Sequence, residues 1–453
     1  MRLTLVLLAG WLLSPGLLAV EPCRIEVIEK GTQWPVPGVE LRTVHGVRLI
    51  TDNGGVIAFD LPELMGQETW FTVSGHGYGV KADGFGYKGV RLRPEPGKKL
   101  TVTVDRRILA QRLGRLTGTG LFAESHKLGE HLDWRDGPVV GCDSIVNARF
   151  GGKQFWFWGD TNLSNYPLGI FNVSAATTAD FVPPARPPLK VRFDCFLNQK
   201  GVARGVADVP GDGPTWVWGA ATLKDAQGQE HLVASAVKVR GNMEAYRWDL
   251  VEWDTAALNF KPLLTFWTKS AEQPKAPKVP DGHALPWTDA AGKAWLLYCN
   301  PFPTLRCPAT YEAWKNPQTW ETLSPDRTIL TPEGKKVEAH GGDLAWHPWS
   351  KRWLLLFTQK GGDTSFLGEI WLATAPSPTG PWTGARKVAT HDNYTFYNPV
   401  LHPEAFRDDS PVIHFEGTYV TTFTNNQQPT PRWDYNQVLY QVDLAQPAFQ
   451  AAK

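Results

Sequence analysis

Two neighbouring segments decide the fold of this chain: residues 139–146 read VVGCDSIV, and residues 154–161 read QFWFWGDT. Each is a short run of β-branched and aromatic residues, and two glycines lie between them, which is typical of paired strands. Similar pairs begin near residues 215, 283, 340 and 397. Irregular repetition of strand hairpins predicts a five-bladed β-propeller over residues 139–450, with a pair of stacked sandwiches as the alternative.

The composition also favours an all-β protein. Its 43 Gly and 36 Pro separate many short segments of β-forming residues, and long helical periods are hard to find. Many short strands with such punctuation are typical of sandwiches, barrels and propellers. We therefore predict an all-β fold, with a small N-terminal β-sandwich followed by the propeller.

The chain begins with a segment typical of a secretory signal peptide. Residues 1–20 place one positive charge before an apolar run, which a Ser-Pro-Gly break and small residues follow. We expect this segment to be removed and the mature protein to be secreted or periplasmic. No later apolar stretch is long enough to span a membrane, and a net charge of +1 gives no basic face for nucleic acid. The sequence leaves the oligomeric state open.

Residues 22–106 have a pattern of their own, with strands and tight turns at short spacing. The turns PVPGV (35–39), TDNGG (51–55) and GYG (77–79) are similar to those of the transthyretin-like sandwich found beside carboxypeptidases and many exported enzymes. The resemblance implies a spacer or stabiliser without chemistry of its own. Residues 107–138 are polar, and we interpret them as a linker or as the segment that closes the propeller.

Five cysteines are too few for a disulfide scaffold in a chain of this length. Cys299 and Cys307 are close enough in sequence to bridge one loop, and Cys142 with Cys195 is a second candidate pair. Cys23 would be left over. Metal-type Cys-x-x-Cys spacing is absent from the sequence, so we expect no metal site built on cysteine.

Strand geometry predicts where the chemistry lies. In a hairpin of a propeller, the beginning of the first strand and the end of the second lie at the same face, so Asp143 and Asp160 should lie close together. The same reasoning places further polar side chains at this face, around the opening of the central channel: Arg240, Glu244, His283, Glu338, His340, Asp343 and Asn398. Carboxylates and amides bind sugar hydroxyls, and aromatic rings cover apolar sugar faces; Trp158, Trp216 and Tyr397 are the aromatic candidates. His402 and Glu404 are further candidate contacts, with a structural turn as the alternative.

Four phrases carry a resemblance to a known family: GCDS (141–144), FWFWGDT (155–161), IWLATAPSPTGPW (370–382) and FYNPVLHPE (396–404). They resemble the five-bladed propeller glycosidases, a group that includes arabinanases, fructosidases and neoagarobiose hydrolases. The resemblance implies that Asp143 is the general base or nucleophile, with a second Asp orienting it. It does not single out the general acid, for which Glu338 or His340 ranks first and Glu244 second.

The resemblance thus implies a secreted glycoside hydrolase, of inverting mechanism, that acts on an extracellular polysaccharide or oligosaccharide. The alternative is a non-catalytic propeller that binds carbohydrate or another partner. A glycoside phosphorylase would need a basic phosphate subsite and intracellular phosphate, which an exported chain does not favour. No cofactor is required for this chemistry, and the sequence leaves open whether a Ca²⁺ ion occupies the channel.

Overall fold

The computed structural model describes residues 20–450 and consists almost entirely of strands, with few and short helices. The predicted signal peptide lies outside the described residues except for Val20. Within residues 20–450, the helices are all far too short to cross a membrane.

The N-terminal unit contains two four-stranded sheets. Its strands are β1 (Cys23–Glu29), β2 (Glu40–Thr43), β3 (Arg48–Ile50), β4 (Val56–Phe59), β5 (Thr69–Ser74), β6 (Tyr78–Gly79), β7 (Gly89–Leu92) and β8 (Lys99–Arg106), with a 3₁₀ turn at Pro62–Leu64. The sheet orders are β4-β1-β8-β6 and β3-β2-β5-β7. Alternate residues of β1 are buried, as the period of a strand with one covered face requires. Ile25 and Val27 of one sheet and Leu41 and Phe71 of the other belong to a single core.

A short connecting region follows, with strand β9 (Gln111–Arg115) and helix α1 (Ala123–Lys127). All five residues of β9 are buried. The side chain of Asn53 binds both backbone groups of Arg115: its Oδ1 accepts from the N–H and its Nδ2 donates to the carbonyl, each at 2.9 Å. Arg112 donates to the carbonyls of Pro37 and Gly38 at 2.9 and 3.2 Å. The N-terminal unit is therefore held against β9.

The first part of the remaining chain folds into one four-stranded and one three-stranded sheet. The strands are β10 (Val139–Cys142), β11 (Ile145–Phe150), β12 (Lys153–Trp158), β13 (Thr161–Leu163), β14 (Tyr166–Ile170), β15 (Ser174–Thr178) and β16 (Asp194–Cys195). Strands β11-β12-β15-β16 form the first four-stranded sheet, and β10-β13-β14 form the small one.

Four more four-stranded sheets follow. The second contains β17 (Thr215–Lys224), β18 (Glu230–Arg240), β19 (Glu244–Asp254) and β20 (Asn259–Thr268). The third contains β21 (His283–Thr288), β22 (Ala294–Cys299), β23 (Pro303–Pro308) and β24 (Glu321–Thr322). Helix α2 (Tyr311–Trp314) and a 3₁₀ turn at Pro317–Thr319 lie between β23 and β24. A two-stranded ribbon of β25 (Ile329–Leu330) and β26 (Lys336–Val337) precedes the fourth sheet of β27 (Ala339–His347), β28 (Arg352–Gln359), β29 (Glu369–Ala375) and β30 (Thr383–Thr390). The fifth contains β31 (Thr395–Leu401), β32 (Val412–Val420) and β33 (Asn436–Asp443), with a 3₁₀ turn at Pro403–Ala405 and helix α3 (Pro447–Gln450).

The fifth sheet takes its fourth strand from the other end of the chain. Strand β9 pairs antiparallel with β33, so that Arg115 lies opposite Val438. The first strands of successive sheets, β11, β17, β21, β27 and β31, contact one another in that order. Between β31 and β11, Nδ2 of Asn398 donates to Oγ of Ser144 at 2.6 Å. The five sheets therefore form a closed series.

Cores between adjacent sheets hold this arrangement together. Phe155 and Phe157 of β12 pack with Leu232 and Ala234 of β18, and all four are buried. Five of the six residues of β12 are buried because both faces of the strand are covered. Its last four residues, FWFW, are accordingly a continuous apolar run rather than an alternating one.

The structure overturns the expected disulfides, because all five cysteines are free thiols. Cys307 lies opposite Leu296 in the pairing of β22 with β23, whereas Cys299 lies opposite Pro303. Three residues of strand separate the two positions, roughly 10 Å at the usual rise, which exceeds the Cα separation that a disulfide tolerates. The prediction of a Cys299–Cys307 bridge is wrong, and so is that of Cys142 with Cys195.

Candidate active site

A cleft of about 420 Å³ opens at one end of the closed series, where the first, second and fifth sheets meet. The beginnings of β11, β17 and β31 and the end of β12 face it, as do the turns between several outer strands. The side chains that line it include Asp143, Asp160, Leu168, Trp216, Trp218, Met243, Tyr397, Asn398, Phe423 and Tyr435. The lining contains two carboxyls and five aromatic rings in this set alone, so it offers both charge and flat apolar surface.

Asp143 stands just before β11, in the turn that Ser144 makes with a φ of 46°. Its Oδ2 accepts a 2.6 Å hydrogen bond from the hydroxyl of Tyr397. Burial raises the pKa of Asp143 above its ordinary value, and the hydrogen bonds from Tyr397 and Tyr435 counteract part of that effect. The glycine at position 159 leaves room for this carboxyl, because a Cβ there would displace Oδ1 of Asp143.

Asp160 follows the end of β12 and is 9% exposed. Its Oδ1 accepts a 3.1 Å hydrogen bond from Nε1 of Trp216, and its backbone carbonyl accepts one from the hydroxyl of Tyr435 at 3.0 Å. Burial, followed by the nearby charge of Asp143, raises the pKa of Asp160 to about 7. This carboxyl therefore still holds a proton for much of the time at neutral pH.

The register of the first hairpin brings the two carboxyls together. Ile145 lies opposite Trp158 in the antiparallel pairing of β11 with β12, and the backbone N–H of Asp143 donates to the carbonyl of Asp160 at 3.2 Å. Neighbouring carboxyls cannot both ionise freely, so the pair separates into one acid and one base. Tyr397 favours the ionised form of Asp143, and Asp160 has the weaker set of donors.

Trp216, Tyr397 and Asn398 also lie at the cleft, as the sequence predicts. Trp216 is only partly buried, so part of its indole remains open to a ligand. Asn398 has a φ of 48°, and its amide donates to Ser144. Each of the three contacts Asp143, Asp160 or the neighbouring Ser144, and each also lines the cleft.

Trp158 borders the same cleft, as the sequence predicts, but its side chain does not present the predicted ligand-stacking surface. Its side chain is 2% exposed, and its ring packs edge-on against Phe193 with centroids 5.1 Å apart. It belongs to a core that includes Leu113, Cys142 and Leu439. Both faces of β12 are covered, so the ring at this position points into the interior between sheets.

The acid candidates that we ranked highest lie outside the cleft lining. Glu338 has a side chain that is 71% exposed and forms a 3.5 Å ion pair with Lys360. Glu244 is exposed and paired with Lys269. His340 is exposed as well; partial desolvation and then the charge of Lys360 lower the pKa of its imidazole. The hydrogen bond from Lys269 lowers the pKa of Glu244, which disfavours an acid role for this carboxyl.

Arg240, His283 and Asp343 likewise do not line the cleft. Arg240 is exposed and stacks over the ring of Tyr246. His283 begins β21, opposite Cys299. Asp343 is 5% exposed; its two carboxyl oxygens accept from the backbone N–H groups of Leu344 and Leu401 at 2.8 and 2.9 Å. Asp343 thus joins β27 to β31 and has a structural role.

Beyond the other end of β31, the buried His402 lies between the exposed Glu404 and the buried Glu416. Nδ1 of His402 lies 2.9 Å from Glu404, and Nε2 lies 3.0 Å from Oε1 of Glu416, although this second contact lacks the alignment of a hydrogen bond. Burial opposes a charge on His402, but the two carboxylates outweigh it and raise the pKa of His402 to about 10. The prediction that His402 and Glu404 contact the same ligand as Asp143 does not fit this position, since Tyr397 and His402 lie at opposite ends of β31.

Several cleft residues carry no signal in the sequence. Tyr435 lies outside the strands, with a φ of 61°, and its hydroxyl reaches Asp160 across 275 residues of chain. Leu168 lies in β14, Met243 lies in the turn between β18 and β19, and Phe423 follows β32; none of them belongs to a motif. Among residues 20–450, the structure contains no group of three or more His, Cys, Asp or Glu that would hold a metal ion.

No family profile and no curated protein matches this sequence. Among solved structures, an exo-β-1,3-galactanase from Phanerochaete chrysosporium is similar at 13% identity, over 68% of this chain and 61% of the galactanase, with a TM-score of 0.38. An exo-1,5-α-L-arabinanase from a bovine ruminal metagenomic library is similar at 13% identity, over 68% and 94%, with a TM-score of 0.38. An N-acetylgalactosamine deacetylase from F. plautii is similar at 11% identity, over 70% and 94%, with a TM-score of 0.39. The chain thus spans about 61% of the length of the galactanase. Similarity at this level assigns no activity to the present chain.

Proposed function

We propose that this chain is an exported glycoside hydrolase with the fold of a five-bladed β-propeller, joined to a transthyretin-like sandwich that stabilises it. The observation that carries the proposal is the pair Asp143 and Asp160, two desolvated carboxyls with unequal hydrogen-bond donors at one cleft. Glycoside hydrolysis needs such a pair, one protonated to assist departure and one ionised to activate water. The closed series of five sheets supports the propeller.

In the proposed reaction, water attacks the anomeric carbon while Asp143 takes up one of its protons. The bond from that carbon to the glycosidic oxygen breaks, its electron pair remains on the oxygen, and Asp160 gives its proton there. One water is thereby added across the bond. Asp143 is left protonated and Asp160 ionised, and proton exchange with solvent restores the starting state. The raised pKa of Asp160 suits it to the acid role that we first gave to Glu338 or His340.

The walls of the cleft suit a sugar ring. Trp216 and Tyr397 present aromatic surface, and the carboxylates with the amide of Asn398 provide partners for hydroxyls. We further propose that the reaction inverts the anomeric configuration. Inversion requires room for a water between the carboxyl and the sugar, and proton NMR of the first product anomer tests it.

Two alternatives make different predictions for the same cleft. A non-catalytic carbohydrate-binding propeller would bind sugar there and tolerate removal of either carboxyl charge. A glycoside phosphorylase would need cationic side chains for phosphate, and none of the described residues that line the cleft is Lys, Arg or His. The lining therefore favours hydrolysis or plain binding over phosphorolysis.

A screen of the mature protein against a panel of polysaccharides, with reducing ends counted, tests the proposal. We expect release of sugar by the parent, and a loss of about 10²-fold or more in Asp143→Asn and Asp160→Asn. Glu338→Gln, which removes an exposed carboxylate away from the cleft, is the matched control and should retain activity. Binding of sugar without cleavage of any substrate would favour the binding propeller instead.

A further inference from the structure

Three exposed apolar side chains, which we call the apolar rim, surround the entrance of the cleft. Leu168, Met243 and Phe423 are 43%, 55% and 64% exposed, and all three line the cleft. Leu168 lies in β14, Met243 in the turn between β18 and β19, and Phe423 after β32. Three separate parts of the chain thus bring apolar side chains to one opening.

The backbone at the apolar rim makes these side chains costly. Leu168, Met243 and Phe423 have φ values of 48°, 64° and 65°, in the left-handed region where glycine or asparagine is the easier choice. An exposed side chain gains little packing in return. Ser144, Asn398 and Tyr435 share this conformation and face the same cleft. Strained backbone of this kind concentrates at functional sites, and here it points to contact between the rim and a ligand.

The cleft is divided into a polar floor and the apolar rim. Asp143, Asp160, Tyr397 and Asn398 supply hydrogen-bonding groups at the floor, whereas the side chains of the rim have none to offer a hydroxyl. A hydroxyl pressed against the rim would lose water without gaining a partner, which is unfavourable. An apolar group in the same place would gain from leaving water. The two carboxyls and the absence of cationic side chains from the described lining also disfavour an acidic sugar.

We infer that the cleft takes a neutral glycoside with an apolar group next to the bond held at the floor, and that the apolar rim binds this group. The inference rests on the proposed function only in naming that bond as the one that is cleaved. Two sources supply the same chemistry: an apolar aglycone, or an O-acyl or O-methyl substituent on the neighbouring sugar. In either case Leu168, Met243 and Phe423 determine specificity and take no part in bond cleavage.

Paired probes test the inference by binding alone. Methyl and n-hexyl glycosides of galactose, xylose and arabinose are titrated calorimetrically into the full chain and into its Asp143→Asn variant, in which turnover is expected to be about 10²-fold slower or more. For at least one sugar, we expect the hexyl glycoside to bind about 10-fold tighter than the methyl glycoside, as burial of several methylene groups predicts. Acetylated and deacetylated xylan, compared in the same way, distinguish the substituent from the aglycone.

A triple variant, Leu168→Asn with Met243→Asn and Phe423→Asn, should reduce the hexyl advantage to less than about 3-fold. Asparagine tolerates a positive φ, so the backbone at the three positions is expected to keep its conformation. Leu258→Asn is the matched control: Leu258 is 40% exposed, has a φ of 50° and lies in the turn before β20, outside the cleft lining. It should keep the full advantage.

The outcomes separate this inference from the proposed function. Equal affinity for the methyl and hexyl glycosides of every sugar, together with equal affinity for the two xylans, would overturn it. A hexyl advantage that survives in the triple variant would overturn it too. A hexyl advantage that the triple variant abolishes, in a protein that cleaves no glycoside, would support the rim while the hydrolase proposal fails.

Discussion

The hydroxyl of Tyr397 donates a 2.6 Å hydrogen bond to Oδ2 of Asp143, which lies 254 residues earlier in the chain. This bond joins the fifth sheet to the first and also acts on the carboxyl that we propose as the base. A donor to an ionised carboxylate favours that form. The contact between the fifth and first sheets therefore also favours the ionised form of Asp143 in the candidate site.

Replacing Asp143 by Asn should lower turnover by roughly 10²-fold or more while ligand binding persists, because the amide keeps the shape and cannot take a proton from water. Steady-state rates on a substrate that the parent cleaves, together with calorimetric binding, provide the measurement. Tyr397→Phe should have a milder effect, raising the pKa of Asp143 and moving the acidic limb of the rate profile to higher pH. A parent-like rate in Asp143→Asn would place the base elsewhere.

The rate should fall as the pH rises through about 7, because Asp160 must hold a proton to act as the acid. Trp216→Phe removes the donor to Oδ1 of Asp160, and loss of a bond to the ionised form raises the pKa of Asp160 further. The basic limb of kcat/KM in this variant should therefore move to higher pH. An unmoved limb would mean that Asp160 is not the group that titrates.

Asp160 should also limit stability above neutral pH. Its pKa is raised in the folded protein, so the folded state binds more protons than the unfolded state between about pH 4 and 7. The free energy of unfolding then decreases as the pH rises across this range. Asp160→Asn should raise the melting temperature at pH 8 by about 2–4 °C and have little effect at pH 4. Thermal unfolding at both pH values provides the comparison.

Trp158 and Trp216 should respond in opposite ways to truncation. Trp158→Ala empties a buried position and should cost about 3–5 kcal/mol of the free energy of unfolding. Trp216→Ala should weaken ligand binding by about 1 kcal/mol or more and change the melting temperature little. Urea unfolding and ligand titration of both variants test this contrast. Loss of affinity in a fully stable Trp158→Ala would restore the ligand-stacking role predicted from sequence.

His402 should remain protonated well above neutral pH, and its removal should be costly. His402→Gln leaves Glu416, which is fully buried, without a positive partner, and we expect a loss of about 3–5 kcal/mol. The pKa of His402 is raised in the folded state, so its contribution is complete below about pH 6.5 and decreases as the pH approaches 10. Denaturant unfolding at pH 7 and 9.5 checks this slope. His347, whose pKa burial lowers to about 4, is the control, because His347→Gln should leave the slope above pH 7 unchanged.

The sequence predicts the part of the site that follows from strand pairing. Asp143 and Asp160 flank one hairpin symmetrically, so any regular pairing of that hairpin brings them together. The same reasoning fails for His402, because His402 follows the far end of β31, and a bulge after Tyr397 interrupts this strand. It also fails for Trp158, since a strand covered on both faces gives no alternation from which to read its direction. Exposure decides against Glu338 and Glu244, and exposure depends on neighbours that lie far away in sequence.

The cleft residues with left-handed backbone show a different limit of prediction from sequence. Tyr435, Leu168, Met243 and Phe423 reach the site through left-handed backbone at single positions, which local sequence does not reveal when the residue is neither glycine nor asparagine. The separation of residues 22–106 as an independent unit stays a prediction. The hydrogen bonds of Asn53 to Arg115 and of Arg112 to Pro37 are what such a separation would have to break.

The pairing of β9 with β33 has a consequence for the order in which the molecule is made. During synthesis β9 emerges before any of the five sheets, yet its partner strand is among the last segments to appear. Asn53 and Tyr78 of the N-terminal unit, which is made earlier, bond backbone groups of Arg115 and Arg112 in β9. These bonds exist together with the pairing to β33 and do not cover the edge that β33 occupies. Until β33 appears, that edge is open and free to join another copy of the chain.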